Sequence, residues 1–448
     1  MVYVIEMLLK NFSWKHMKII TLLLTAATLM VSSSLCQAQK STPVQKVFDG
    51  WSAKETLGYI RTFSVSDLTT GKPAALWYHS HASQTNKTAI LLRRQPIMKL
   101  PTARLPEIGK ISVETDLGRM TLNDYLNHPK SFAQGFIVVH KGRVAYESYP
   151  GMHELDAHFW ASTTKVLASM VVGLLIDDGL IDESRTLGYY IPEFKGSAWE
   201  HIKVVDAMDM AAGLDARDSA EQFADPSSVT SRMFRAELGE ETNGKIEYML
   251  EVMVDAKSVE KPGQSYIYSS ATTQSLVFLV EAVSGKSWSD FFEDRVWSKM
   301  GVEGPLQMHL SPDGIAIVHG PASSNLRDLA RVGILYTPSW RKVSTERIVS
   351  PAMLDRIQNT PRTRDFYLGG NAGSGQRFMA RLGEEAVRTA ARQWDAIFED
   401  GDFFKSGLNT QGLYVSPDRD LVIAFFSTEP THRIQKYLRP IVTSGLFD

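Results

Sequence analysis

Ser162-Thr163-Thr164-Lys165 sets a hydroxyl and an amine three residues apart. On a helical turn that spacing puts both side chains on one face. A serine hydroxyl is a poor nucleophile until a neighbouring base takes its proton, and a lysine can be that base when burial depresses its pKa toward neutrality. The stretch that holds Lys165, STTKVLASMVVGLLIDDGLI over 162–181, is apolar on nearly every side through its middle and provides the burial. At the start of a helix, unpaired N–H groups and the dipole also favour an oxyanion developing beside Ser162. The chemistry these residues offer is acyl transfer through a serine ester.

A lone Ser-x-x-Lys is more often a capping serine with a snorkelling lysine. The pattern recurs at Ser258-Val259-Glu260-Lys261, but Pro262-Gly263 follows directly and stops that copy from opening a buried helix. Two further stretches separate the copies. Pro262 to Ser270 is a turn leading to Tyr268, followed by an amphipathic helix over Gln274 to Ser284, and Lys405-Ser406-Gly407 stands just before the last hairpin. Read singly, Tyr268 is a core aromatic with a hydroxyl at the surface, and Lys405-Ser406-Gly407 an exposed basic turn.

The elements that must position these groups are legible in outline. Phe136 to Val139 and Val144 to Glu147 flank a Gly-containing turn and read as an antiparallel hairpin. A second hairpin is predicted from Gly412 to Phe426 around Ser416-Pro417-Asp418-Arg419-Asp420, and a closing helix over Thr431 to Leu446. The buried helix from Ser162 should end at Gly179. Residues 185 to about 300 are mostly helical, including Trp288 to Met300. Strands at both ends around a helical middle predict an α+β fold: one antiparallel sheet flanked by helices, with a helical domain inserted about 185–300. Residues 39–130 read as an N-terminal extension packed on a main domain of 131–448.

Taken together, these stretches resemble the serine β-lactamase and penicillin-binding-protein superfamily, in its class C-like branch and closest to the 6-aminohexanoate-dimer hydrolases. The resemblance runs from about Gly135 to the C-terminus. It also rests on Phe159-Trp160-Ala161 before Ser162, Gly179 to Asp182 leading to Tyr190-Ile191-Pro192-Glu193, Met210 to Leu214, Ser324 to Gly333, and Gly407 to Pro417. It implies a β-lactamase/transpeptidase-like fold, Ser162 as acylated nucleophile, Lys165 as base and Tyr268 as proton relay. It further implies a second oxyanion N–H from Leu408, and substrate contacts from Lys405, Ser406, Ser270 and Asn409. Two positions depart from the pattern. Ser270 stands where class C enzymes usually have Asn, and Asn409-Thr410 occupy the variable positions of a pocket-shaping turn.

The expected activity is hydrolysis of an ester, amide or lactam of a small molecule. A β-lactamase or D,D-peptidase is the alternative enzyme, and a penicillin-binding-like sensor that does not turn over is the non-catalytic one. No metal and no cofactor is expected. His153-Glu154-Leu155-Asp156-Ala157-His158 resembles a zinc-protease helix, but its histidines are one residue too far apart to share a face. A net charge of -2 over 448 residues argues against a nucleic-acid partner.

From Ile19 to Gln37 the chain is uncharged, with Lys15 and Lys18 before it and Cys36-Gln37-Ala38 after, which reads as a secretory signal (1–38) cleaved after Ala38. Met17 is an alternative start, and a retained single span the competing reading. The expected location is periplasmic or secreted, with no membrane attachment after cleavage. Cys36 is the only cysteine, so the mature chain would carry no disulfide and no thiolate nucleophile.

Overall fold

The computed structural model describes residues 43–64, 67, 73–370, 373–382 and 387–447. The chain separates into two units, Met1–Pro43 and Val44–Asp448, and of the first only Pro43 is described. The predicted signal and Cys36 therefore lie outside the described residues. Among the described residues no helix is long and apolar enough to cross a membrane.

In chain order the strands are β1 (Thr88–Leu91), the hairpin β2 (Ser112–Thr115) and β3 (Gly118–Thr121), the pair β4 (Ala133–His140) and β5 (Arg143–Ser148), and the short β6 (His158–Phe159). A small hairpin follows, β7 (Glu241–Thr242) and β8 (Lys245–Ile246), then β9 (Leu306–His309) and β10 (Ala322–Ser324). The C-terminal run is β11 (Val387–Ala391), β12 (Trp394–Phe398), β13 (Phe403–Gly407), β14 (Gln411–Ser416) and β15 (Leu421–Ser427). The main sheet has the order β11-β12-β13-β14-β15-β4-β5 and is antiparallel throughout. The last strand pairs with β4, Ile423 opposite Val138, so residues nearly three hundred apart in sequence close the sheet. A second sheet runs β1-β9-β10-β6.

The middle of the main sheet is covered on both faces, which is why β4 and β15 carry continuous apolar runs instead of alternating ones. Ile137, Val139, Leu413, Val422, Ala424 and Phe426 join the larger core with the helices. Their neighbours Phe136, Val138, Tyr414, Ile423 and Phe425 pack on the C-terminal segment through Ile434, Tyr437 and Leu438. A one-residue slip would exchange the two cores, so the register is strongly fixed.

Three predicted helices differ from the sequence reading at an end or in continuity. The buried helix spans Lys165–Asp177 and is preceded by a 3-10 turn, Ala161–Thr164, that carries Ser162. Gly179 terminates it in a left-handed conformation, φ +73°. The helix after Tyr268 begins earlier than predicted, at Ser270, because the Ser269 hydroxyl accepts from the Thr272 N–H and caps it. The predicted closing helix is a 3-10 turn, Arg433–Tyr437, and a short helix, Leu438–Val442. Pro440 has no N–H to give the carbonyl four residues back, so one continuous helix cannot form there.

Candidate active site

Three elements meet at Ser162: the 3-10 turn that holds it, the N-terminus of the Ser270–Ser284 helix, and strand β13. The turn is entered through Ala161 at φ +48°, a left-handed conformation that a residue with a Cβ rarely adopts. It lifts Ser162 off the end of β6 and into a cleft of about 310 Å³. Strand β13 reaches the turn at Gly407. A Cβ there would lie 2.6 Å from the Trp160 carbonyl oxygen and 3.0 Å from the Ala161 Cβ. Gly407→Ala must therefore push β13 away from the serine. The expected outcome is a folded protein whose labelling by a serine-directed fluorophosphonate is slower by about 100-fold, since a displacement near 1 Å costs that much in an aligned site.

Lys165 is fully buried. Its Nζ lies 3.2 Å from Ser162 Oγ and 3.0 Å from Ser270 Oγ, and donates to the His319 carbonyl oxygen. Burial pulls its pKa from the usual lysine value to about 7, opposed by the Asp218 carboxylate and assisted by the nearby Lys405 cation. Tyr268 is buried at the same point, its hydroxyl hydrogen-bonded to Ser162 and 3.4 Å from Lys405 Nζ. Burial, with the Asp395 and Asp218 charges, holds that phenol well above its ordinary pKa, so it keeps its proton at neutral pH.

The sequence-derived residues divide into two groups. Ser162, Tyr268, Ser270, Ser406 and Leu408 line the cleft. Lys165 and Lys405 stand behind its wall, fully buried. Lys405-Ser406-Gly407 is the end of a buried strand and not an exposed turn. Asn409, at φ +56°, turns inward with 1% of its surface exposed and does not line the cleft. Of the two zinc-like histidines, His158 points into the core, its Nε2 2.8 Å from Gln134 Oε1.

Sequence reasoning missed two carboxylates. Asp395 of β12 lies 2.5 Å from Lys405 Nζ and accepts at 2.9 Å from both the N–H and the hydroxyl of Ser406. Its signal was an acid inside the apolar run Trp394-Asp395-Ala396-Ile397-Phe398, a placement that needs a buried partner. Asp218 accepts from the Ser270 hydroxyl at 2.6 Å and from its N–H at 2.8 Å. It sits in a loop without period and left no signal. The cleft wall is also partly made by the N-terminal stretch: Phe63 stacks on Tyr78 at 4.1 Å, and Tyr78 meets Phe159 edge-on at 5.2 Å.

Comparison with known proteins decides what this arrangement belongs to. The beta-lactamase family model matches residues 133–441. The chain belongs to the beta-lactamase family. As a member of it, with relatives named as hydrolases, the protein is a serine hydrolase. It is 25% identical over 375 residues to the 6-aminohexanoate-dimer hydrolase of Paenarthrobacter ureafaciens, covering 80% of this chain and 86% of that one. A solved structure from Bacillus anthracis that carries a provisional 6-aminohexanoate-dimer hydrolase name aligns with TM-score 0.69 at 21% identity, over 86% of this chain and 97% of its own. A family VIII carboxylesterase aligns with TM-score 0.53 at 15% identity, over 76% and 97%. These two structures speak to the fold, the β-lactamase/transpeptidase-like α+β fold expected above. The beta-lactamase family match begins at residue 133, so Phe63 and Tyr78 reach the cleft from outside the matched segment.

Proposed function

We propose that this hydrolase cleaves a small amide or ester through an acyl-enzyme on Ser162, and that its preferred substrates are amides of the aminohexanoate-dimer type. The observation that carries the reading is the 3.2 Å approach of Ser162 Oγ to a buried amine whose pKa burial brings to about 7. Ser162 Oγ attacks the carbonyl carbon and its proton passes to Lys165 Nζ. The Tyr268 phenol, still protonated, gives its proton to the departing amine or alkoxide. Water then attacks the ester by the reverse path and releases the acid. The N–H groups of Ser162 and Leu408 are assigned to the oxyanion, with Leu408 at the cleft mouth, 40% exposed.

The similarity to the dimer hydrolase over most of both chains supports the amide preference. Asp395 argues against the β-lactam and D,D-peptide alternatives. It already occupies the Lys405 cation and the Ser406 hydroxyl, the groups that would hold a substrate carboxylate. A panel of aminohexanoate dimers, short-chain nitrophenyl esters, nitrocefin and D-Ala-D-Ala peptides tests this, read by product release and by intact-protein mass. Turnover of the first two classes with a transient adduct is expected. Nitrocefin as the best substrate, or an adduct that persists without product, would replace this reading with the β-lactamase or the sensor.

Export belongs to the same proposal. Lys15 and Lys18 before the uncharged stretch Ile19 to Gln37 support a signal cleaved after Ala38. N-terminal sequencing of protein recovered from the periplasm or medium should begin at Gln39. Recovery of the intact N-terminus in the membrane fraction would overturn it.

A further inference from the structure

We propose that Asp218, acting through Ser270, fixes the direction of the hydrogen bonds around Lys165 so that the lone pair of the amine is left for Ser162. The inference rests on the reading of Ser162 and Lys165 as nucleophile and base, and gives Asp218 the part of a positioning residue.

A neutral lysine amine has two N–H donors and one lone pair. Lys165 Nζ has three oxygen neighbours: Ser162 Oγ at 3.2 Å, Ser270 Oγ at 3.0 Å, and the His319 carbonyl oxygen. The carbonyl has no proton to give and takes one N–H. Ser270 has a single hydroxyl proton, and the Asp218 carboxylate claims it, Oδ2 lying 2.6 Å from Ser270 Oγ while Oδ1 accepts from the Ser270 N–H at 2.8 Å. An ionised carboxylate only accepts, so Ser270 can only accept from Lys165. Both N–H groups are then used. The lone pair faces Ser162, the one neighbour of the three with a proton to surrender.

An amide at position 218 reverses this chain. With Oδ1 still accepting from the Ser270 N–H, the amide nitrogen would donate to Ser270 Oγ. The Ser270 proton would turn to the only acceptor left to it, the Lys165 lone pair. The base would be occupied by the wrong hydroxyl. Deleting that hydroxyl as well removes the wrong donor, so the effect of the amide should vanish when Ser270 is absent. The charges that face Lys165 are Asp218, Glu237 and Asp395 on the acidic side and Lys405 on the basic side, with the Tyr268 ring 5.2 Å away and the His319 ring turned to Glu237. Loss of the Asp218 charge alone lets the Lys165 pKa fall further.

The test is the second-order rate at which a fluorophosphonate labels Ser162, measured from pH 5 to 9 on the full chain, with thermal melts, for wild type, D218N, S270A and the double variant. D218N should be slower by about 100-fold near neutral pH, the scale of a lost general base. S270A should lose about tenfold, and the double variant should match S270A instead of multiplying the two losses. The acid limb of the double variant should lie below that of wild type. Multiplied losses, or an unmoved acid limb, would overturn the inference. Should D218N fail to fold, S270A labelling as fast as wild type overturns it equally. A wild-type protein that is not labelled at Ser162 would instead remove the hydrolase reading, and this inference with it.

Discussion

Ser162→Ala should abolish fluorophosphonate labelling and lower hydrolysis by about 10⁴-fold or more, the scale on which serine hydrolases lose activity with their nucleophile. The size of the effect follows from what the other hydroxyls in the cleft are doing. Ser270 gives its proton to Asp218 and Ser406 gives its own to Asp395. Neither is free to attack a carbonyl, because a carboxylate holds the proton of each. Tyr268 keeps its proton because burial raises its pKa. Removing one oxygen atom from a partly exposed side chain should leave the melting temperature nearly unchanged. Labelling that persists at comparable rate in S162A, located by peptide mass, would refute the assignment.

The second large effect is on pH. Burial disfavours the ammonium form of Lys165 and brings its pKa to about 7. The base works only when neutral, so kcat/KM should rise with pH through about 7 and fall below it by about tenfold per unit. The position of this limb distinguishes the lysine from an exposed one, whose limb would lie near its ordinary value and leave the enzyme almost inactive at neutral pH. Lys165→Met should cost about 10³-fold in kcat/KM and flatten the acid limb. Methionine fills the volume without leaving a charge buried, so the loss should come without unfolding. A wild-type profile that is level from pH 5 to 8, or an acid limb that survives in K165M, would show that another group is the base.

The groups found from the sequence are those whose partners lie close along the chain or inside a local pattern. Ser162 and Lys165 share one turn, Tyr268 precedes a capped helix, and the two end hairpins announce themselves by their turns. Asp218 was invisible because its partner Ser270 is 52 residues away and nothing near it has a period. Strands β11 to β13 were missed for another reason: nearly every position is buried, polar Thr389, Asp395, Lys405 and Ser406 included, so no alternation of apolar and polar residues marks them. The second sheet is assembled from four short strands, β1, β6, β9 and β10, whose pairing is set by tertiary packing alone. The same holds for the 3-10 turn under Ser162. A left-handed alanine has no sequence signature, since the residues that announce that conformation are glycine and asparagine.

Phe63 and Tyr78 give the cleft a wall from a stretch that precedes the matched segment beginning at residue 133. A substitution at either aromatic therefore changes one wall of the cleft from a place far along the chain from Ser162, Lys165 and Tyr268. The rest of the lining, with Phe223, Phe234, His309, Phe378 and His432, lies within the matched segment beside Ser162 and Tyr268, so what the cleft admits is written in both parts of the chain.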